Sequence, residues 1–126
     1  MSKLLIVDDE VDVREFAKNF FQRRKIEVIV SSSGEEALDL LVKEKPDLVL
    51  LDVRLGGMDG IEVLQKMRQM QNNTQVIMVT GVDEKETSDK AKELGVTDYI
   101  HKPLKLDELE EVVLKRLLKT GNKNAG

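Results

Sequence analysis

Three uninterrupted apolar runs, Leu4 to Val7, Leu48 to Leu51 and Val76 to Val79, constrain the fold of this chain more than any other feature. The middle run is too short for a helix, has no polar face, and lies between the turn-formers Pro46-Asp47 and Gly56-Gly57. A run of that kind reads as a strand buried on both faces, and a sheet of such strands needs helices on both sides. The runs also end alike, on Asp8-Asp9-Glu10, on Asp52 and on Thr80-Gly81.

The segments between the runs carry helical spacing. Val13, Phe16, Ala17, Phe20 and Phe21 predict one buried stripe, with Arg14, Lys18 and Gln22 facing away. Ile26 to Val30 reads as a strand. Ser33-Gly34-Glu35-Glu36 has the pattern of a capping box, followed by Ala37, Leu38 and Leu41 as an inner face. Asp59 is placed to cap a helix with Ile61, Leu64 and Met67 inside. From Asp83 to Leu94 only Ala91 and Leu94 are clearly apolar, which predicts a weakly anchored helix ended by Gly95. Val96 to His101 is the last strand, and Leu106, Leu109, Val113 and Leu117 form the stripe of a closing helix. Five strands alternating with five helices predict right-handed parallel crossovers and an α/β fold of three layers.

With 126 residues the chain reads as one domain over residues 1–118, followed by a mobile polar tail or linker stub at 119–126, KTGNKNAG. It has no cysteine for a disulfide or thiolate site, and no run as long as a membrane span. A net charge of −4 argues against a nucleic-acid surface, and 3% aromatics leave no stacking platform. The expectation is a soluble, cytoplasmic protein without membrane or direct nucleic-acid contact.

If every strand is parallel, Asp8, Asp9, Asp52, Thr80 and Lys102 share one edge of the sheet, the edge where open α/β sheets bind ligands. Carboxylates packed together repel, so the set calls for a cation, and Mg²⁺ suits oxygen donors of this kind. The chemistry that follows is phosphoryl transfer, with Asp52 as nucleophile and with Lys102 and Thr80 stabilising the oxygens of the transferred group. Taken singly, Asp9 as a helix cap, Thr80 as a strand end and Tyr99 as a half-buried aromatic would be the plainer readings. His101 alternates with Lys102 and is expected to face away from the site.

The ordered motifs LLIVDDE, SSSGEEALDLL, PDLVLLDVRLGGMDG, VIMVTG and AKELGVTDYIHKP resemble the receiver domains of two-component response regulators, of the chemotaxis-regulator type. That resemblance implies a flavodoxin-like, doubly wound (βα)5 sheet of order 2-1-3-4-5. It implies Asp52 as phosphoacceptor, Asp9 and Asp52 as Mg²⁺ ligands with the Arg54 backbone carbonyl, and Asp8 as a ligand through water. Thr80 and Lys102 would contact the phosphoryl group, Gly81 would keep its approach open, Thr80 and Tyr99 would form the switch, and the Lys102–Pro103 bond would be cis. The implied partners are a sensor histidine kinase or phosphotransfer protein, an output domain or downstream protein, and a second copy through the fourth helix, fifth strand and fifth helix. The implied role is a signalling switch that assists only its own phosphotransfer and autodephosphorylation. The chain departs from the family pattern at Leu55-Gly56, where a Met-Pro pair is common, and at the cationic Arg54. Two alternatives share the fold or the nucleophile: a pseudo-receiver that binds protein constitutively, and a Mg²⁺-dependent aspartyl phosphohydrolase.

Overall fold

The structure, a computed structural model, describes residues 1–81 and 85–125, with side chains described as far as Leu118. In chain order the elements are β1 (Lys3–Val7), α1 (Val11–Gln22), β2 (Glu27–Ser31), α2 (Gly34–Glu44), β3 (Leu48–Asp52), α3 (Gly60–Gln69), β4 (Gln75–Thr80), α4 (Lys85–Glu93), β5 (Asp98–His101) and α5 (Leu106–Ala125). All neighbouring strands are parallel, in the order β2-β1-β3-β4-β5. The α/β, flavodoxin-like sheet is therefore the expected one.

Alternation along the strands makes two cores. Leu4, Ile6, Leu48, Leu50, Ile77 and Val79 meet Phe21 of α1 and Leu109, Val113 and Leu117 of α5 on one side. Leu5, Val7, Val49, Leu51, Val76 and Met78 meet α2, α3 and Ala91 of α4 on the other. Every residue of β3 is buried, as a strand covered on both faces must be. Each large aliphatic side chain so removed from water contributes about 2 kcal/mol against the unfolded chain.

The helix caps follow from the sequence. Ser33 Oγ accepts from the Glu36 N–H at 3.2 Å, and the Glu36 carboxylate accepts from the Ser32 N–H at 3.1 Å, one residue earlier than in a standard capping box. Asp59 Oδ1 accepts from the Glu62 N–H at 2.9 Å and starts α3. Gly95 ends the α4 segment at φ +75°, which glycine adopts at low cost.

Several expectations are corrected. Phe16 is 49% exposed, because it lies about 100° around the helix from Ala17 and about 140° from Phe21, the residues α1 buries. Leu106 is exposed too, leaving Leu109, Val113 and Leu117 as the inner stripe of α5. The strands β2 and β5 begin later than the apolar pattern suggested, at Glu27 and Asp98, where the ladder with the neighbouring strand starts. The backbone of residues 119–125 continues α5, since extending a helix that is already formed costs little per residue. The expected start of the fourth helix at Asp83 lies outside the described residues. No helix among the described residues is long and apolar enough to cross a membrane.

Arg68 was not singled out by any pattern, yet it closes the edge of the sheet opposite the Asp52 end. Its guanidinium donates to the carbonyls of Leu94 (2.7 Å), Asn72 (2.9 Å), Gly95 (3.1 Å) and Thr74 (3.2 Å), tying the loop after α3 to the loop after α4. Arg68→Ala is expected to lower stability by about 2 kcal/mol in denaturant unfolding. Arg68→Lys should recover little of it, because an ammonium cannot serve a planar fork of carbonyls.

Candidate functional site

Register brings the strand ends together. Val7 pairs with Leu51, Asp52 with Val79, and Thr80 with His101, so residues 8, 52, 80 and 102 reach a common rim from four strands. Asp52 closes β3 and is only 3% exposed. Its Oδ1 accepts from the Arg54 N–H at 2.9 Å, and its Oδ2 accepts from the Lys102 ammonium at 2.7 Å. The pair spans 50 residues of sequence and is made by the fold alone.

Asp8 is equally buried. Its Oδ1 accepts from the Glu10 N–H at 2.9 Å, its backbone N–H donates to the Ser31 carbonyl at 3.1 Å, and its carbonyl accepts from the Arg14 guanidinium at 2.7 Å. Arg14 therefore does not face away, as helical spacing suggested; it reaches back from α1 to hold the acidic turn. Burial pushes the Asp8 carboxyl up to about 6, against the Glu10 hydrogen bond and with the help of the neighbouring Asp52. Burial pulls the Lys102 ammonium down, but the hydrogen bond and charge of Asp52, with Asp8 and Glu10 behind it, leave its pKa above the ordinary lysine value.

Asp9 lies exposed at the rim, and one carboxylate oxygen each from Asp8, Asp9 and Glu10 falls within 4.8 Å of the others. The N-cap position of α1 belongs to Glu10, with no side-chain cap bond, so Asp9 is not used as a cap. The donors are all oxygens, and Asp8, pushed up first by burial and then by the neighbouring Asp52, is a carboxylate that a nearby cation would stabilise. Both properties fit a hard cation such as Mg²⁺. Glu10 was not foreseen as a member of this cluster, although it stands in the same acidic run.

The rest of the predicted set divides by strand parity. Lys102 shares the side of Ile100 and Asp52, whereas Thr80, which is buried, shares the side of Met78 and Tyr99. Among the described residues nothing hydrogen-bonds the Tyr99 hydroxyl, although it is buried. Its ring packs on the second core and meets the His101 ring edge-on at 5.3 Å. His101 is exposed and on the side away from Lys102, as expected. The Lys102–Pro103 bond is cis. Gly81 has room for a Cβ, which would meet Lys102 Cδ at an ordinary 3.8 Å.

Known proteins share this fold. The family model for the response regulator receiver domain matches residues 4–114. Sporulation initiation phosphotransferase F of Bacillus subtilis (strain 168) is 39% identical over 115 residues, which is 91% of this chain and 93% of that protein. The regulatory protein AtoC of Escherichia coli (strain K12) is also 39% identical, over 93% of this chain but 25% of its own length. A CheY-like response regulator receiver domain protein from Methanospirillum hungatei JF-1 superposes with a TM-score of 0.91 at 28% identity over 98% of each chain. The chain thus spans nearly all of one relative and a quarter of another.

Since Asp8 is buried beside Asp52 with like charge, Asp8→Asn should stabilise the chain by about 1 to 3 kcal/mol in the presence of a chelator, because the amide oxygen still accepts the Glu10 N–H. Denaturant unfolding with and without Mg²⁺ checks this. The gain should shrink when the ion is added.

Proposed function

The chain belongs to the response regulator receiver domain family, and from that premise we propose that Asp52 accepts a phosphoryl group from the phosphohistidine of a sensor histidine kinase or a phosphotransfer protein. As a receiver domain of two-component systems it is a signalling domain rather than a metabolic enzyme. The observation that carries the proposal is the buried Asp52 carboxylate held between the Arg54 N–H and the Lys102 ammonium.

In the transfer, a carboxylate oxygen of Asp52 forms a bond to phosphorus while the bond from phosphorus to the imidazole nitrogen breaks, and the electron pair stays on that nitrogen. Lys102 already lies at hydrogen-bond distance from one Asp52 oxygen, so it is placed to neutralise the charge that the incoming group carries. Asp9, Asp52 and the Arg54 carbonyl, with Asp8 through water, would hold Mg²⁺. When bound, the ion supplies positive charge to the phosphoryl oxygens. Water attack on the acyl phosphate returns the Asp52 carboxylate and releases phosphate, which makes the signal transient.

The readout follows from Thr80 and Tyr99. Phosphorylation adds nearly one further negative charge and new acceptor oxygens at Asp52, and Thr80 is drawn toward them. The Tyr99 hydroxyl, buried with no hydrogen bond from the described residues, is a group that a small change nearby can move. Its neighbour α4 buries only Ala91, so the element is lightly held. We assign the face formed by α4, β5 and α5 to downstream partners or a second copy. The near-complete coverage of a sporulation phosphotransferase supports relay of the phosphoryl group, and the partial coverage of AtoC supports coupling to an output domain.

Incubation with Mg²⁺ and acetyl phosphate, followed by intact mass, should show one added phosphoryl group that is absent in Asp52→Ala. No gain in the wild type would favour constitutive protein binding, and rapid turnover of varied phosphate esters would favour a hydrolase. Arg54, exposed two residues past Asp52, is expected to shield the phosphoryl group by charge. Arg54→Ala should shorten the half-life of the phosphorylated form about two- to fivefold, the worth of one exposed charge contact; an unchanged decay curve removes that role.

A further inference from the structure

We infer that Gly60 is a positioning residue, which sets the Asp52–Arg54 backbone in place for the metal and the phosphoryl group. The inference rests on the functional reading above. Gly60 opens α3 directly after its Asp59 cap. Its N–H donates to the Val53 carbonyl at 2.8 Å, while the Val53 N–H donates to the Val79 carbonyl of β4 at 2.8 Å. Val53 is thereby clamped from both sides, and the peptide units that carry Asp52 and Arg54 are held with it.

The first turn of α3 presses so closely on this clamp that no side chain fits. A Cβ on Gly60 would overlap the Asp52 carbonyl oxygen and come within 2.8 Å of Val53 Cα and 3.0 Å of the Asp52 carbonyl carbon. All three are backbone atoms at the end of a buried strand, so no rotamer change relieves the contact. The requirement is one of space, since the Gly60 backbone is not left-handed.

The other glycines nearby differ. Gly56 has nothing within 4 Å of the position a Cβ would take. Gly34 is crowded by side chains, with Val63 Cγ2 at 2.6 Å and Met58 Cβ at 3.2 Å, and none of the three atoms nearest to its Cβ position is backbone. Displacing Asp52 to Arg54 would disturb the Arg54 N–H bond to Asp52 Oδ1, the Lys102 pair and the Arg54 carbonyl together, because one short segment carries all three.

The test compares the full chain with Gly60→Ala, Gly56→Ala and Gly34→Ala, reading Mg²⁺ affinity by calorimetry, the Val53 and Arg54 amide shifts without metal, and Tm. Gly60→Ala should weaken Mg²⁺ binding at least tenfold and shift both amides. Gly56→Ala should change neither, and Gly34→Ala should lower Tm with Mg²⁺ affinity kept within twofold. If Gly60→Ala does not fold in buffer, the same titration is made in trimethylamine N-oxide, which favours the compact state. A Gly60→Ala protein that binds Mg²⁺ like the wild type, or that stays unfolded even in the osmolyte, overturns the inference, since Gly60 would then serve the fold alone. A wild type that binds no Mg²⁺ overturns it together with the reading it rests on. A wild type that binds Mg²⁺ and is phosphorylated beside an indistinguishable Gly60→Ala overturns this inference only.

Discussion

The contact between the Lys102 ammonium and the Asp52 carboxylate, 2.7 Å across the rim of the sheet, is the interaction on which the rest of the site depends. Asp52 is almost fully buried while Lys102 keeps part of its surface in water. Burying such a pair is poor value as a source of stability, because the desolvation of two charges offsets most of their attraction. Its presence at a strand end is better understood through the chemistry that a desolvated, hydrogen-bonded carboxylate next to a cation can perform. Asp8 sharpens this, since a second carboxyl in the same low-dielectric corner leaves an excess of negative charge that Lys102 alone does not balance.

Parity along the strands gives the site two sides. Asp52 and Lys102 lie on the side packed by α1 and α5, and Thr80 and Tyr99 on the side packed by α2, α3 and α4. A change in charge at Asp52 is thus next to a residue of the opposite side, Thr80, one position beyond the Asp52–Val79 pair. Of the helices on that side, α4 buries the fewest residues, Ala91 alone. Charge on one face and a lightly held helix on the other are what a switch between two packings needs.

Much of this was legible in advance, for identifiable reasons. Apolar runs without alternation announce strands covered on both faces, and acid at their ends marks the rim where those strand ends meet. Ser33 and Asp59 announce caps because a side-chain oxygen three residues before an N–H has one obvious use. What could not be read were side-chain contacts to backbone carbonyls, an acceptor that every residue offers alike. Arg14 looked like a solvated helix residue and instead holds the Asp8 carbonyl. Arg68 looked like any late-helix cation and instead ties two loops through four carbonyls. Phe16 and Leu106 matched a helical stripe, but a stripe read from spacing is wider than the face a sheet can cover.

The sequence by itself determined the strand and helix order, the parallel sheet and the identity of the acidic, hydroxyl and ammonium groups at its rim, because hydrophobic period and turn chemistry are local properties of the chain. Only the tertiary structure decided which of those groups touch. The Asp52–Lys102 bond, the burial that raises Asp8 and the Tyr99 hydroxyl left without a bond from the described residues arise from register and packing between segments distant in sequence, and the backbone seat beneath Gly60 arises from how α3 docks on the end of β3. Distances of a few tenths of an ångström at such contacts are set by the shapes of two cores pressing on one sheet, and no local pattern encodes them.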